Sequence, residues 1–195
     1  MLKLLLTILS LALPLHLYGQ GTVNFANNSS SRVCDGVSGN PVPAGNTYTV
    51  GLYYAPDGTT DQSLFTMLSP TANFAAPGIF NAGARTAPIS PPGGFGMFQV
   101  RAWSTSLGAT YESALAAAIS GQSGKLGKSN IVRVDTGDPT INPPGTPGSL
   151  VASGLQSFSV GGPLGGSAPC VPEPGTWAIA LLGVITLLFA RARKL

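Results

Sequence analysis

Histidine, a frequent participant in acid–base and metal chemistry, is almost missing from this chain of 195 residues. The single histidine, His16, lies in an apolar N-terminal segment, and the rest of the sequence has none. Serine and cysteine nucleophiles commonly rely on a histidine base, and zinc and copper sites commonly include histidine ligands. The sequence therefore argues against those chemistries. No catalytic residue, metal ligand or cofactor is predicted.

Carboxylates are the next candidates for chemistry, in two close pairs. Asp57 with Asp61, and Asp135 with Asp138, could each contribute to a calcium site or to the carboxylate pair of a glycosidase. Calcium prefers six or more oxygen ligands, and neither pair forms an EF-hand pattern. Most acids adjoin Gly or Pro, so turn formation is the favoured interpretation. A carboxylate hydrolase is the third hypothesis for function.

The segment 121–129 imitates a phosphate-binding loop, because it contains Gly127, Lys128 and Ser129 in succession. The Walker pattern requires a glycine five residues before Gly127, where Gln122 stands. A loop without nucleotide chemistry is predicted.

Aromatic side chains could form a platform for stacking against sugars. The candidates are Tyr48, Tyr53, Tyr54, Trp103 and Tyr111. Rings at strand spacing more often belong to a core. The platform interpretation supports a second hypothesis for function, a small carbohydrate-binding module with calcium as an assisting ion.

Cys34 and Cys170 are the only cysteines. In an oxidising compartment they can form a disulfide that closes nearly the whole domain. The alternative is two separate thiols, with Cys170 pairing between molecules. The sequence leaves both alternatives open.

The elements that would position these residues are mostly strands. Segments rich in β-branched and aromatic residues predict strands at 22–25, 48–54, 63–68, 78–80, 96–104, 131–134 and 150–160. Thr110 can cap a short helix that Gly121 ends. We predict a mainly β fold: a single antiparallel β-sandwich or jelly-roll-like domain at 20–160 with one short helix, whose last strand pairs with its first.

The strongest predicted strand, 96–104, alternates between two kinds of side chain. Phe98, Val100 and Ala102 share one face, which can be buried. The other face carries Gln99, Arg101 and Trp103. Trp103 interrupts this polar face and is expected to lie under a loop.

The net charge of +3 comes from the terminal segments. Between residues 20 and 171 six Lys and Arg side chains balance six Asp and Glu side chains. The basic character therefore indicates no surface for nucleic acid, and nucleic acid is not a predicted partner.

Residues 1–19 have the layout of a secretory signal peptide. Lys3 supplies a positive charge, an apolar run follows at 4–13, and Gly19 precedes the expected cleavage. The apolar run is too short to span a membrane comfortably.

Residues 171–195 contain three features in a fixed order, after a stalk at 161–170 that is rich in Gly, Pro and Ser. A motif at 171–175 contains Pro172, Glu173 and Pro174, and an uncharged apolar run follows at 176–190. A basic tail at 191–195 contains Arg191, Arg193 and Lys194. The run is predicted to be a single transmembrane helix in contact with lipid, with its cationic end in the cytoplasm.

This arrangement resembles the PEP-CTERM sorting signal of Gram-negative bacteria. The resemblance covers only these 25 or so residues and implies that a membrane-embedded sorting protease, exosortase, recognises Pro172, Glu173 and Pro174. It also implies an inner-membrane-anchored precursor that is passed to the cell surface or the extracellular polysaccharide matrix. The two prolines favour an extended backbone around Glu173, which a protease cleft can bind.

The leading hypothesis is an exported structural or adhesive protein without enzymatic activity. Its expected partners are the sorting protease, membrane lipid and extracellular polysaccharide.

Overall fold

The computed structural model describes residues 20–161 and Cys170. The expected signal peptide at 1–19, residues 162–169 of the stalk and the sorting signal at 171–195 lie outside the described residues.

The described part of the chain is mainly β, with one α-helix, α1 (Tyr111–Ile119), and two 3-10 helices at Gln62–Leu64 and Thr105–Leu107. Its strands are β1 (Gly21–Ala26), β2 (Val33–Asp35), β3 (Gly45–Pro56), β4 (Thr66–Phe74), β5 (Asn81–Ala87), β6 (Phe95–Ser104), β7 (Leu126–Lys128), β8 (Val132–Asp135), β9 (Gly148–Ser149) and β10 (Phe158–Val160).

The largest sheet is antiparallel and centres on β3 and β6. These strands pair without interruption from Tyr48 opposite Ser104 to Pro56 opposite Gly96. The strand β4 adds to the free edge of β3, while β7 and β8 pair with successive parts of β6. Because side chains alternate along a strand, this sheet presents two distinct faces.

One face of the large sheet contributes to the main apolar core. Val50, Leu52, Phe98 and Val100 are fully buried there. The sheet β5-β1-β9 and the pair β10-β2 supply further side chains to the same core, including Val23, Phe25, Phe158 and Val160. The core therefore joins segments from both ends of the described chain.

The opposite face is covered by α1, which confirms the predicted helix. The side chain of Thr110 accepts a hydrogen bond from the Ser113 amide, and the Ser113 hydroxyl completes a capping box. Gly121 follows the helix with a φ of 93°, which a glycine adopts without steric cost. A second apolar cluster forms below α1 around Trp103, Tyr53 and Leu126.

Several predicted strands have different bounds in the structure. Residues 63–68 begin within a 3-10 helix, and the strand starts only at Thr66. Residues 78–80 lie at a tight turn where Gly78 has a φ of 69°, so β5 begins at Asn81. Residues 150–154 form turns, residues 155–157 have no regular structure, and only Phe158–Val160 is a strand.

The predicted strand pairing also needs correction. The last strand, β10, pairs with β2 in parallel, whereas β1 pairs with β5 and β9. Two of the pairings are parallel, so the domain is not wholly antiparallel. The strands β2, β5, β7 and β9 were not predicted, because they are short or rich in Ala and Gly and carry little apolar alternation.

Candidate functional site

An arginine lies buried between the large sheet and α1. Arg101, in the middle of β6, is only 6% exposed. Its guanidinium carbon lies 4.1 Å from the centroid of the Tyr53 ring and 5.4 Å from that of Tyr111. Sequence alternation placed Arg101 on the polar face of its strand, but that face is covered. The cation is therefore held against aromatic rings, which attract it electrostatically.

Each part of the Arg101 guanidinium group has a hydrogen-bond partner. Its Nε donates to Gln99 Oε1 at 3.0 Å, and one terminal nitrogen donates to Glu112 Oε1 at 3.0 Å. The other terminal nitrogen donates to the backbone carbonyl of Gln62 at 2.7 Å. A buried charge is tolerated only when it is paired in this way. The contacts join β6, α1 and the first 3-10 helix.

Glu112 connects this network to Tyr53. The Tyr53 hydroxyl donates to Glu112 Oε2 at 2.9 Å and accepts from the Tyr111 amide at 3.2 Å. Burial raises the pKa of Tyr53, and its hydrogen bond to Glu112 raises it further. Burial also raises the pKa of Tyr111. Both phenols are therefore neutral at physiological pH, which suits a fixed polar network more than proton transfer.

A half-open cavity of about 280 Å³ lies next to this network. Its lining is polar apart from one isoleucine and consists of Gln62, Lys128, Ser129, Asn130, Ile131, Gln156 and Ser157. Gln62 connects the cavity to the Arg101 network, because its backbone carbonyl accepts from Arg101 and its side-chain oxygen accepts from Lys128 Nζ at 2.5 Å. We name this space the Lys128 cavity.

Two residues of the Lys128 cavity are held by hydrogen bonds to neighbouring segments. The Ser129 carbonyl accepts from Gln99 Nε2 at 3.0 Å, and the Ser129 hydroxyl accepts from the Val100 amide at 2.9 Å. Asn130 donates to the Gly154 carbonyl and accepts from the Gln156 amide, both at 3.0 Å. These residues are therefore fixed in place by β6 and by the segment that leads into β10.

The segment predicted as a loop at 121–129 contributes to this cavity. Leu126–Lys128 forms the strand β7, and the rest of the segment, residues 121–125 and Ser129, lies outside helices and strands. Gly127 lies in close contact with β10, because a Cβ added to it would come within 2.2 Å of the Ser159 carbonyl oxygen. Gly127 thus serves strand packing, while Lys128 next to it reaches the cavity.

The candidate aromatic platform is not formed. Tyr48, Tyr53, Tyr54, Trp103 and Tyr111 are all at most 8% exposed. Trp103 lies beneath α1 and the loop before it, where its indole N–H donates to the Gly108 carbonyl at 2.9 Å. These rings belong to the two apolar clusters, and none offers a face for stacking against a sugar.

Three of the four candidate carboxylates serve turns and a surface ion pair, while Asp135 lies exposed at the end of β8. Both oxygens of Asp57 accept from Arg133, at 2.7 and 2.8 Å, and this contact lowers the pKa of Asp57. Asp61 Oδ1 accepts from the amide and hydroxyl of Ser63, and Asp138 Oδ1 accepts from those of Thr140. Among residues 20–161 and Cys170, no group of three or more metal-binding side chains comes together.

The two cysteines are joined by a disulfide. The Cα atoms of Cys34 and Cys170 lie 5.5 Å apart, so that β2 is bonded to the residue that ends the predicted stalk. Next to Cys34, the Asp35 carboxylate pairs with Lys125. Burial would raise the pKa of Asp35, but hydrogen bonds from Lys125 and from the Ser38 and Val37 amides hold it below its usual range.

The sorting residues Pro172, Glu173 and Pro174, and the basic residues Arg191, Arg193 and Lys194, lie outside the described residues. Within the described part of the chain, no helix is long and apolar enough to cross a membrane. Comparisons with family models, with curated proteins and with solved structures found no match to this chain.

Sequence reasoning missed the Arg101 network and the Lys128 cavity. One signal was present: Trp103 shares a face with Gln99 and Arg101, and a large ring on a strand face requires a cover. The helix that follows β6 supplies that cover. Gln62 and Gln156 carried no signal, because their positions depend on pairing between distant segments.

Proposed function

We propose that this chain is an exported protein of the cell surface or extracellular matrix, with a structural or adhesive role and no enzymatic activity. The observation that carries the proposal is the order of its targeting features. An export signal at 1–19 precedes the domain, and Pro172, Glu173 and Pro174 stand before an apolar run and the basic residues Arg191, Arg193 and Lys194. We infer that an exosortase-like membrane protease reads the motif.

The disulfide supports this proposal, because such bonds persist in oxidising compartments. It joins Cys34 to Cys170, which is separated from Pro172 only by Val171. Whatever path residues 162–169 take, the covalent bond holds Cys170, which lies two residues before Pro172, at β2. In this proposal the motif is presented at a constant distance from the folded domain.

The engagement of three of the four candidate carboxylates also favours a non-enzymatic role. Asp57 is committed to Arg133, and Asp61 and Asp138 are committed to neighbouring amides and hydroxyls. General acid–base work needs a carboxyl group directed at a substrate with a pKa near the working pH. The pKa values of these three groups are all lowered instead.

We assign the domain to the β-sandwich class. The sheet β5-β1-β9 and the large sheet around β3 and β6 contribute side chains to one shared apolar core. Two sheets that bury their inner faces against each other are the defining feature of this class.

Fractionation of the native host tests the sorting proposal. The tagged protein is followed with and without the sorting protease, and its C-terminus is determined by mass spectrometry. We expect a terminus near Pro172 to Pro174 in the surface or matrix fraction, and we expect the protease-deficient strain to lack it. An intact tail at 191–195 in the inner membrane of both strains would contradict the proposal.

A point variant makes the same test sharper. Glu173→Ala should block release and leave membrane insertion unchanged, because only the motif is altered. Pro169→Ala is the matched control, since Pro169 lies near the motif but outside it. Equal release of the wild-type chain and Glu173→Ala would remove the motif from the mechanism.

A carbohydrate-binding module is the second candidate function. Its predicted aromatic platform is buried, so stacking by those five rings does not support it. The observation that favours it is the polar Lys128 cavity, whose amide and hydroxyl groups suit sugar hydroxyls.

A further inference from the structure

The Lys128 cavity has the size of a site for one small polar ligand. Its volume of about 280 Å³ lies just below the range of roughly 300–1,000 Å³ that is typical of ligand pockets. Gln62, Asn130 and Gln156 supply amide groups, and Ser129 and Ser157 supply hydroxyls. Ile131 is the one apolar side chain of the lining. Several hydrogen-bonding groups beside a single apolar patch match the two kinds of surface on a sugar ring.

The charge of the cavity and of the network behind it is positive. Arg101 and Lys128 contribute two cations, and Glu112, which pairs with Arg101, contributes one carboxylate. Lys128 takes part in no ion pair within residues 20–161. Asp61 precedes Gln62 in the chain and carries a negative charge, but it does not line the cavity, and its Oδ1 is directed at the amide and hydroxyl of Ser63. An anionic group on the ligand would therefore be attracted to Lys128.

The Lys128 ammonium group keeps hydrogen-bonding capacity toward the cavity. An ammonium group has three N–H donors, and one of them is directed at Gln62 Oε1. Gln62 is in turn held by Arg101 through its backbone carbonyl. Because Gln62 is held in place before any ligand arrives, Lys128 loses little conformational entropy when a ligand binds.

From these observations we propose that the Lys128 cavity binds a carboxylate-bearing sugar, such as a uronic acid residue of an acidic polysaccharide. The carboxylate accepts from Lys128 Nζ, while ring hydroxyls bond to the amides of Asn130 and Gln156. The ring's apolar face rests on Ile131. This inference rests on the proposed function and names the chemistry of the matrix ligand.

Binding to defined oligosaccharides tests the proposal. The full-length chain, held in detergent micelles, is titrated with trigalacturonate and with the neutral galactose trimer, and heat is measured by calorimetry. We expect binding of trigalacturonate that is at least about tenfold tighter than that of the neutral trimer, which corresponds to one charge-assisted hydrogen bond. Acetate, tested alongside, should bind far more weakly because it lacks the ring.

Two variants locate the binding. Lys128→Gln should weaken trigalacturonate binding about tenfold or more, and Lys128→Arg should retain most of it. Arg133→Gln is the matched control, because it also removes one positive charge but Arg133 pairs with Asp57 and does not line the cavity. Ser157→Tyr fills the cavity without a change of charge and should abolish binding, which keeps the test decisive if Lys128→Gln folds poorly.

Four results would overturn the proposal. The first three are no binding of trigalacturonate, equal weakening by Lys128→Gln and Arg133→Gln, and equal affinity for the acidic and neutral trimers. Equal affinity for acetate and trigalacturonate would identify a simple anion site and would overturn it too. The sorting experiment measures a chain terminus and a location, so failure of either proposal leaves the other measurable.

Discussion

The disulfide between Cys34 and Cys170 allows the most quantitative prediction. We expect Cys170→Ala to lower the free energy of unfolding, because the bond restricts the unfolded chain. The two cysteines are separated by 136 residues. For a loop of that length the chain-entropy relation gives roughly 17 cal/mol/K, or roughly 5 kcal/mol at 25 °C. Measured losses from native disulfides of small domains are about 2–5 kcal/mol, so a loss of about 3–5 kcal/mol is expected.

The assay is urea unfolding of the full-length chain in micelles, followed by the fluorescence of Trp103. The buried indole of Trp103 becomes exposed to water on unfolding, while Trp177 adds a signal from the segment predicted to lie in the micelle. The dependence of the free energy on urea should also steepen, because an unfolded chain without the cross-link exposes more surface.

Comparison with the double variant separates the bond from local packing. Removal of either cysteine breaks the same bond, so Cys170→Ala and Cys34→Ala/Cys170→Ala should lose nearly equal stability. A marked further loss in the double variant would assign the energy to packing of the buried Cys34 side chain. A loss below about 1 kcal/mol, or two thiols that react with a maleimide in the folded wild-type chain, would refute the reasoning.

Three further predictions concern the remaining contacts. Arg101→Met should lower the free energy of unfolding by about 3 kcal/mol, because it leaves the Gln62 and Gln99 oxygens without their donor. Glu112→Gln should lower the free energy of unfolding by only about 1 kcal/mol. Equal losses for the two variants in urea titrations would contradict this ranking. Thr110→Ala should cost about 1 kcal/mol through the lost cap of α1, with the exposed Thr60→Ala as a surface control in the same thermal melts. The pKa of Asp35 is lower in the fold than its usual 3.8, so its stabilising contribution is present above that value and is lost as the pH falls through the folded pKa. Asp35→Asn should therefore flatten the acid limb of a stability–pH profile; an unchanged limb would show that the Lys125 contact is not linked to stability.

Part of the fold and of the candidate site could be predicted from residues that act locally. Alternation identified the centre of β6, and the Thr110 cap with Gly121 identified α1. The burial of Trp103 was also predicted correctly, although its cover is formed by α1 as well as by the loop before it. The partners of the strands were not predictable in this way, because β2 and β10 carry little pattern of their own and meet across more than a hundred residues of chain.

The sequence by itself determined the lack of histidine outside residue 16, the main strands and the helix, since each depends on residues close together in the chain. It also predicts the targeting features at 1–19 and 171–195. Only the tertiary structure decided the parallel pairing of β10 with β2, the bond between Cys34 and Cys170, and the burial of Arg101. These depend on which distant segments meet, and that is set by burial of the shared core. A charged side chain on a strand face is exposed or buried according to what packs above it, and here α1 packs above Arg101 and leaves Lys128 at the edge, facing the cavity.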